Sequence, residues 1–151
     1  MDNVEYAYER GLDEAAVAER LRTAETGVLS LARGGDAYGV VLGHHYDGDR
    51  LLFRLGETPD SEKRAFREAT GRACYVVYGT EETDDHRGLA SWSVVVTGTL
   101  SELPAEHDLS ATAVNERFPP IRVFGEDPAE MDLALLELRI ESATGRETVP
   151  P

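Results

Sequence analysis

The 151 residues include one cysteine, one tryptophan and two methionines, and of the fifteen basic residues only Lys63 is a lysine. A single thiol, Cys74, permits no internal disulfide and no thiolate metal cluster. In the run Ala73-Cys74-Tyr75-Val76-Val77-Tyr78 it reads as a buried small hydrophobe rather than a reactive nucleophile. No apolar run approaches the ~20 residues that a membrane-spanning helix needs. The acidic start Met1-Asp2-Asn3-Val4-Glu5 lacks the basic-then-apolar layout of a secretory signal, so a soluble cytoplasmic protein is expected. Positive charge is short as well. With 29 acidic residues against 15 basic ones and a net charge of −14, the chain is unsuited to gripping nucleic acid or an anionic membrane over a broad surface.

Apolar residues make up 41%, and about 46% when glycine replaces tyrosine in the count, within the roughly 45–50% of globular domains. That argues against wholesale disorder despite the charge. The length fits one domain with one sizeable core, and no repeat, low-complexity tract or linker divides residues 1–151. Many carboxylates on an arginine-weighted background resemble the proteins of salt-accumulating, extremely halophilic microbes, where concentrated salt screens such self-repulsion. The surplus is uneven. Residues 1–80 carry a net −4 and residues 81–151 a net −10, yet 50–72 is net +2 through Arg50, Arg54, Lys63, Arg64, Arg67 and Arg72. A small positive focus in an acidic protein suits a small anion better than a polymer.

Asp13 can cap a helix over about 13–24, with Ala16, Val17, Ala18 and Leu21 as its apolar stripe. A short strand over 28–32, a turn at Gly34-Gly35-Asp36 and a strand from Tyr38 to Tyr46 follow. Asp47-Gly48 is a hairpin signal leading into the strand 50–55, which should pair antiparallel with the strand before it. Gly56-Glu57-Thr58-Pro59-Asp60 breaks the chain, and Ser61 to Ala69 reads as a helix capped by Asp60 or Ser61. Then come a strand over 73–79, an exposed acidic loop over 81–87, and a long β-branched strand over 91–100 with a bulge or bend at Gly98. A helix over 108–117 is broken by Phe118-Pro119-Pro120, and 133–141 reads as a final strand. Six or so strands with short helices predict a mainly β fold, an antiparallel barrel over about 27–141.

The helix opened by Asp60-Ser61-Glu62-Lys63 has the makings of a phosphate site. Its first amides and partial positive charge face an incoming anion. Ser61 adds a hydroxyl, Lys63 a full charge, and Arg54 on the preceding strand a bidentate donor. Other chemistries find less. Adjacent His44 and His45 point to opposite faces of a strand and do not converge on a metal; with His86 and His107 they form no zinc spacing. One of His44 or His45 facing a substrate cavity would be a proton donor, against the plainer reading of a surface or half-buried histidine. Glu81-Glu82-Thr83-Asp84-Asp85 reads as a solvated loop rather than a calcium site. Ser91 and Ser93 lie in no nucleophile elbow.

The ordered set of 27–32, 38–46 with Asp47-Gly48, 50–55, Asp60-Ser61-Glu62-Lys63 and Ser91-Trp92-Ser93-Val94-Val95-Val96-Thr97-Gly98 resembles the pyridoxamine 5'-phosphate oxidase-like split-barrel flavoproteins. It is nearest to their nitroimidazole-resistance-type and haloarchaeal branch, over about residues 10–103. The resemblance implies a split β-barrel of FMN-binding type, a homodimer with the flavin at the subunit interface, and an oxidoreductase acting on a small molecule. Carried over, Arg54, Ser61 and Lys63 would hold the phosphate, and Leu55 would lie against the cofactor with its backbone. Tyr38, Val40, Val41 and Leu42 would run beside the isoalloxazine ring, with Ser91, Trp92 and Ser93 near the dimer seam; Trp92 by itself reads as core or dimer contact. The chain departs from the family at Val41, where relatives often have proline, and at Glu62, where the oxidases have consecutive basic residues. Their substrate-gripping residues have no match, which speaks against pyridoxamine phosphate as substrate. Deazaflavin or haem in the same fold, and a non-catalytic flavin carrier or redox sensor, are the alternatives.

Overall fold

A computed structural model describes residues 4, 6–82, 89–104, 116–118, 120, 125 and 127–149. Its elements are β1 (Glu9–Gly11), α1 (Glu14–Thr23), β2 (Thr26–Arg33), β3 (Asp36–Gly43), β4 (His45–Tyr46), β5 (Arg50–Glu57), α2 (Glu62–Ala69), β6 (Arg72–Glu82), β7 (Leu89–Glu102) and β8 (Asp132–Thr148), with a single 3-10 turn at Pro128–Glu130. No described helix is long and apolar enough to cross a membrane.

Local chemistry explains most of these elements. Asp13 caps α1 by accepting from the Ala16 amide at 2.8 Å, and Val17 and Leu21 turn the helix's apolar stripe inward. β2 and β3 form a hairpin from Thr26↔Gly43 to Arg33↔Asp36. Its two-residue turn, Gly34 at φ 55 and Gly35 at φ 89, needs left-handed backbone at both positions, which matches the strand twist and favours glycine. α2 is capped by Ser61, whose Oγ accepts from the Arg64 amide at 3.2 Å. At its other end Thr70 Oγ1 accepts from the Ala32 amide at 3.0 Å, which pins the helix beside β2.

The hydrogen-bonded order is β3-β2-β6-β7-β8-β5-β4, with β1 added to the far end of β8, and all pairings are antiparallel. The sheet wraps around Leu29, Phe53, Tyr75, Val77, Val94, Val96, Leu136 and Leu138, all buried. Among the described residues it does not close through hydrogen bonds as a full barrel would. β3 ends the order on one side, and beyond Leu52 the free side of β5 carries no strand partner among the described residues. The barrel is split there.

Several expectations need correcting. The segment 38–46 is not one strand: β3 stops at Gly43, His44 leaves the sheet for the core, and only His45 and Tyr46 pair with Leu52 and Leu51. The bulk of β3 pairs with β2 instead. The last strand continues past 141 to Thr148, because it pairs with β5 in its first half, β7 along most of its length and β1 at its end. β1 was not anticipated, and Glu81 and Glu82 extend β6 rather than opening a loop. Residues 83–87 of that loop and 108–115 of the proposed helix lie outside the described residues; Glu116 and Arg117 are helical. The irregularity at Gly98 is present as a register shift between Thr97 and Gly98 that leaves Glu141 of β8 unpaired in the ladder.

The outward face of the sheet is unusual for so acidic a chain. Register aligns Val41, Val28, Val76 and Val95 in one row across four strands, with Ser30, Cys74 and Thr97 in the next. Cys74 is therefore half-buried on this face rather than in the core, and burial pushes its thiol pKa up. Val41 is 57% exposed, and Tyr78, farther along the same face, is 66% exposed.

Candidate functional site

The split in the barrel holds a cavity. One wall is Val40, Val41, Leu42 and Gly43 of β3; the other is Arg54, Leu55 and Gly56 of β5. Lys63 of α2 stands at one end, and Phe118 and Pro120 also line it. Both strands meet the cavity with a sheet edge, so an occupant of this slot faces main-chain donors and acceptors as well as apolar side chains. A second cavity is lined by Tyr38, Gly56, Glu57, Thr58, Ser61, Glu62, Lys63 and Met131. The two share Gly56 and Lys63.

Geometry thus brings together most of the residues singled out from the sequence. Val40, Val41, Leu42, Arg54, Leu55 and Lys63 line the first cavity, and Tyr38, Ser61 and Lys63 the second. Lys63 Nζ donates to the Gly56 carbonyl at 2.6 Å, which holds the ammonium where the cavities meet; an ammonium has two further protons to give. Ser61 Oγ accepts from the helix as its cap, and its hydroxyl proton is a further donor. The Arg54 guanidinium lies 5.9 Å from the Phe118 ring centroid. Tyr38 stacks on Phe66 of α2 at 5.3 Å and 25°, so the aromatic wall and the helix are packed as a unit.

Ser91, Trp92 and Ser93 line neither cavity. Ser91 Oγ is 3.1 Å from Thr148 Oγ1. Trp92 packs against the core with the Arg20 guanidinium 4.4 Å over its ring. Ser93 pairs with Tyr78 on the outward face.

The two histidines diverge, as adjacent residues should, but neither lines the cavities. His44 is buried, with Nε2 2.8 Å from the Leu21 carbonyl and Nδ1 2.7 Å from the Tyr75 hydroxyl, which also lies 3.1 Å from the Leu42 carbonyl. Its pKa falls below the ordinary 6.5, chiefly because burial penalises the imidazolium. The neutral ring donates through Nε2 and accepts through Nδ1, tying α1, β3 and β6 together. His45 packs edge-on to Phe118 at 6.5 Å, and its pKa is also lowered, first by burial and then by Arg117.

Sequence reasoning missed two parts of the site. One is Phe118, which the sequence offers only as part of the helix-breaking Phe118-Pro119-Pro120, with no local signal that it faces a cavity. The other is the buried pair beneath the second cavity. Glu57, 3% exposed, closes β5, and Arg67, 7% exposed, lies one helical turn beyond Lys63. Arg67 Nε donates to Glu57 Oε2 at 3.1 Å, Nη2 donates to Glu57 Oε1, and Nη1 reaches Glu102 Oε2 at 3.3 Å. Hydrogen bonding to Glu57 raises the Arg67 pKa still further.

Comparison with known proteins agrees with this architecture. The structure matches an FAD-binding protein from Mesorhizobium loti with a TM-score of 0.67 at 21% identity, over 96% of this chain and 100% of that one. It matches a protein from Bacteroides thetaiotaomicron described as a 5-nitroimidazole antibiotic resistance protein with a TM-score of 0.72 at 14% identity, over 95% and 90%. A flavocytochrome from Azotobacter vinelandii matches at 0.64 and 16%, over 95% and 70%. At these identities the likeness concerns the fold. No curated protein matches the sequence significantly. The sequence model of the pyridoxamine 5'-phosphate oxidase family matches residues 13–147, nearly the whole chain. With its mainly β, split-barrel architecture, this chain is a member of that family.

Proposed function

We propose that the protein binds flavin mononucleotide in the split of its barrel and acts as an oxidoreductase on a small molecule. The observation that carries this reading is the slot itself. Apolar β3 side chains face a sheet edge on one side, and Arg54 and Lys63 supply positive charge in a chain of net −14. A planar, amphipathic ring with an anionic tail fits that division of chemistry. Val40, Val41 and Leu42 would flank the ring, and the backbone at Leu55 would meet its polar edge. Arg54, Ser61 and Lys63 would hold the phosphate, with Tyr38 closing the wall behind it. A bound flavin supplies hydride or electron transfer from its own ring; the chain's contribution is to fix the phosphate, orient the ring and exclude water.

The working unit would be a homodimer. The row Val41, Val28, Val76 and Val95 is continuous with the cavity through Val41, and Ser91 and Ser93 lie on the same outward face. A second copy covering that face would also wall the slot.

Purified protein should be yellow and release a fluorescent flavin on denaturation; a deazaflavin or haem spectrum would redirect the assignment. Lys63→Ala and Arg54→Ala should each weaken FMN binding by about 1–3 kcal/mol, the size of a charge-assisted hydrogen bond. Unchanged FMN affinity in the double variant would overturn the phosphate site. Steady turnover with a nicotinamide nucleotide and an acceptor separates an enzyme from a flavin carrier.

A further inference from the structure

We propose that Glu57 and Arg67 are positioning residues for the phosphate grip: their buried ion pair sets the rotation and height of α2 against the end of β5, and so places Lys63. The inference rests on the phosphate reading above and extends it to two residues that contact no ligand in that reading.

The argument begins with helix geometry. Residues four apart lie on one face of an α-helix, so Lys63 and Arg67 project toward the same strand. They grip consecutive residues of it, Lys63 the Gly56 carbonyl at 2.6 Å and Arg67 the Glu57 carboxylate through two guanidinium nitrogens. Thr70 pins the helix to β2 and Phe66 stacks it on β3, but toward β5 a single ammonium–carbonyl bond fixes one distance and leaves orientation open. A planar fork on a carboxylate restricts orientation as well as distance. The pair also has an electrostatic duty. Glu57 lines the second cavity beside Ser61 and Lys63, where an unpaired carboxylate would repel a phosphate. Arg67 neutralises it, and the Arg64 Nε, 4.0 Å from Glu57 Oε1, adds to this.

A lone buried ion pair is often no more stabilising than apolar residues of the same shape. Placement here suits a geometric role better than a stabilising one. The pair joins the last residue of the strand that carries Arg54 to the helix that carries Ser61 and Lys63, so the fork fixes the two halves of the grip relative to each other.

The test compares FMN with riboflavin, which has the same ring and no phosphate, by titrating flavin fluorescence with the apoprotein. The unaltered protein should bind FMN much more tightly. Arg67→Lys keeps the charge and loses the fork, and Glu57→Asp keeps the charge and draws the carboxylate back by one methylene, out of register with the fork. Each should lower FMN affinity about tenfold or more, the loss expected for one charge-assisted hydrogen bond, while riboflavin affinity stays unchanged. Equal losses for both ligands would mean a merely structural pair and overturn the proposal, as would FMN affinity that is unchanged or improved. With two independent variants, failure of one to fold leaves the other to decide. If the unaltered protein shows no preference for FMN over riboflavin, the phosphate reading itself is wrong and the positioning role falls with it. A preference that survives in both variants overturns only the positioning role.

Discussion

Replacing Gly27 with alanine tests how tightly β2 is packed over the core. A Cβ built at Gly27 falls 2.6 Å from Tyr75 Cζ, 2.7 Å from the Tyr75 hydroxyl and 2.6 Å from the Val76 carbonyl oxygen. The Tyr75 ring is fully buried, packed 4.9 Å from Phe53, and its hydroxyl reaches His44 and the Leu42 carbonyl. The ring therefore cannot retreat without breaking its hydrogen bond to His44, and the Val76 carbonyl is backbone. Overpacking of this kind costs about 1–3 kcal/mol, and each buried hydrogen bond lost adds about 1 kcal/mol. Glycine-to-alanine replacement within a strand returns roughly 0.5–1 kcal/mol, so the clash wins and a net loss of about 1–3.5 kcal/mol is expected. Urea denaturation followed by fluorescence or circular dichroism measures it as a lowered midpoint. In a Tyr75→Leu background the same change should cost less, because two of the three clashes vanish while the carbonyl contact remains. An unchanged or raised midpoint for Gly27→Ala, or equal costs in the two backgrounds, would refute the packing argument.

Two further outcomes follow from charge. The folded pKa values of His44 and His45 lie below the ordinary 6.5 of the unfolded chain. The unfolded state therefore takes up their protons first as pH falls. The stability they contribute is complete above 6.5, declines as pH drops through that value toward the folded pKa values, and levels off below them. In high salt, urea midpoints should fall between about pH 8 and pH 5.5, and His44→Gln should flatten that fall; identical pH profiles for the two proteins would refute the role given to His44. A net charge of −14 on each chain opposes both folding and the proposed dimer in dilute buffer, so melting temperature should rise with ionic strength. Thermal unfolding at low and molar salt checks this, and a flat response would dismiss the halophilic reading.

Elements that depend on neighbours in sequence were legible from the residues alone. The Asp13 cap marks α1, Ser61 caps α2, Gly34-Gly35 marks the first hairpin, and Gly98 marks the register shift between β7 and β8. The cationic focus was legible as well, because α2 follows β5 after only four residues and carries Lys63 back toward Arg54. Elements that depend on distant partners were not. The break at His44 is invisible in the alternating run 38–46, since it arises from hydrogen bonds to Leu21 and Tyr75, residues 23 and 31 positions away. The length of β8 was understated because a strand serving three partners need not keep one apolar period. Cys74 looked internal because the whole strand is apolar, and only the register with Ser30 and Thr97 assigns its face. Local backbone chemistry thus determined where α1, α2 and the first hairpin turn lie. Tertiary structure decided which edges stay unpaired, and so where the slot opens, because a strand's free edge is defined by what the rest of the sheet leaves uncovered.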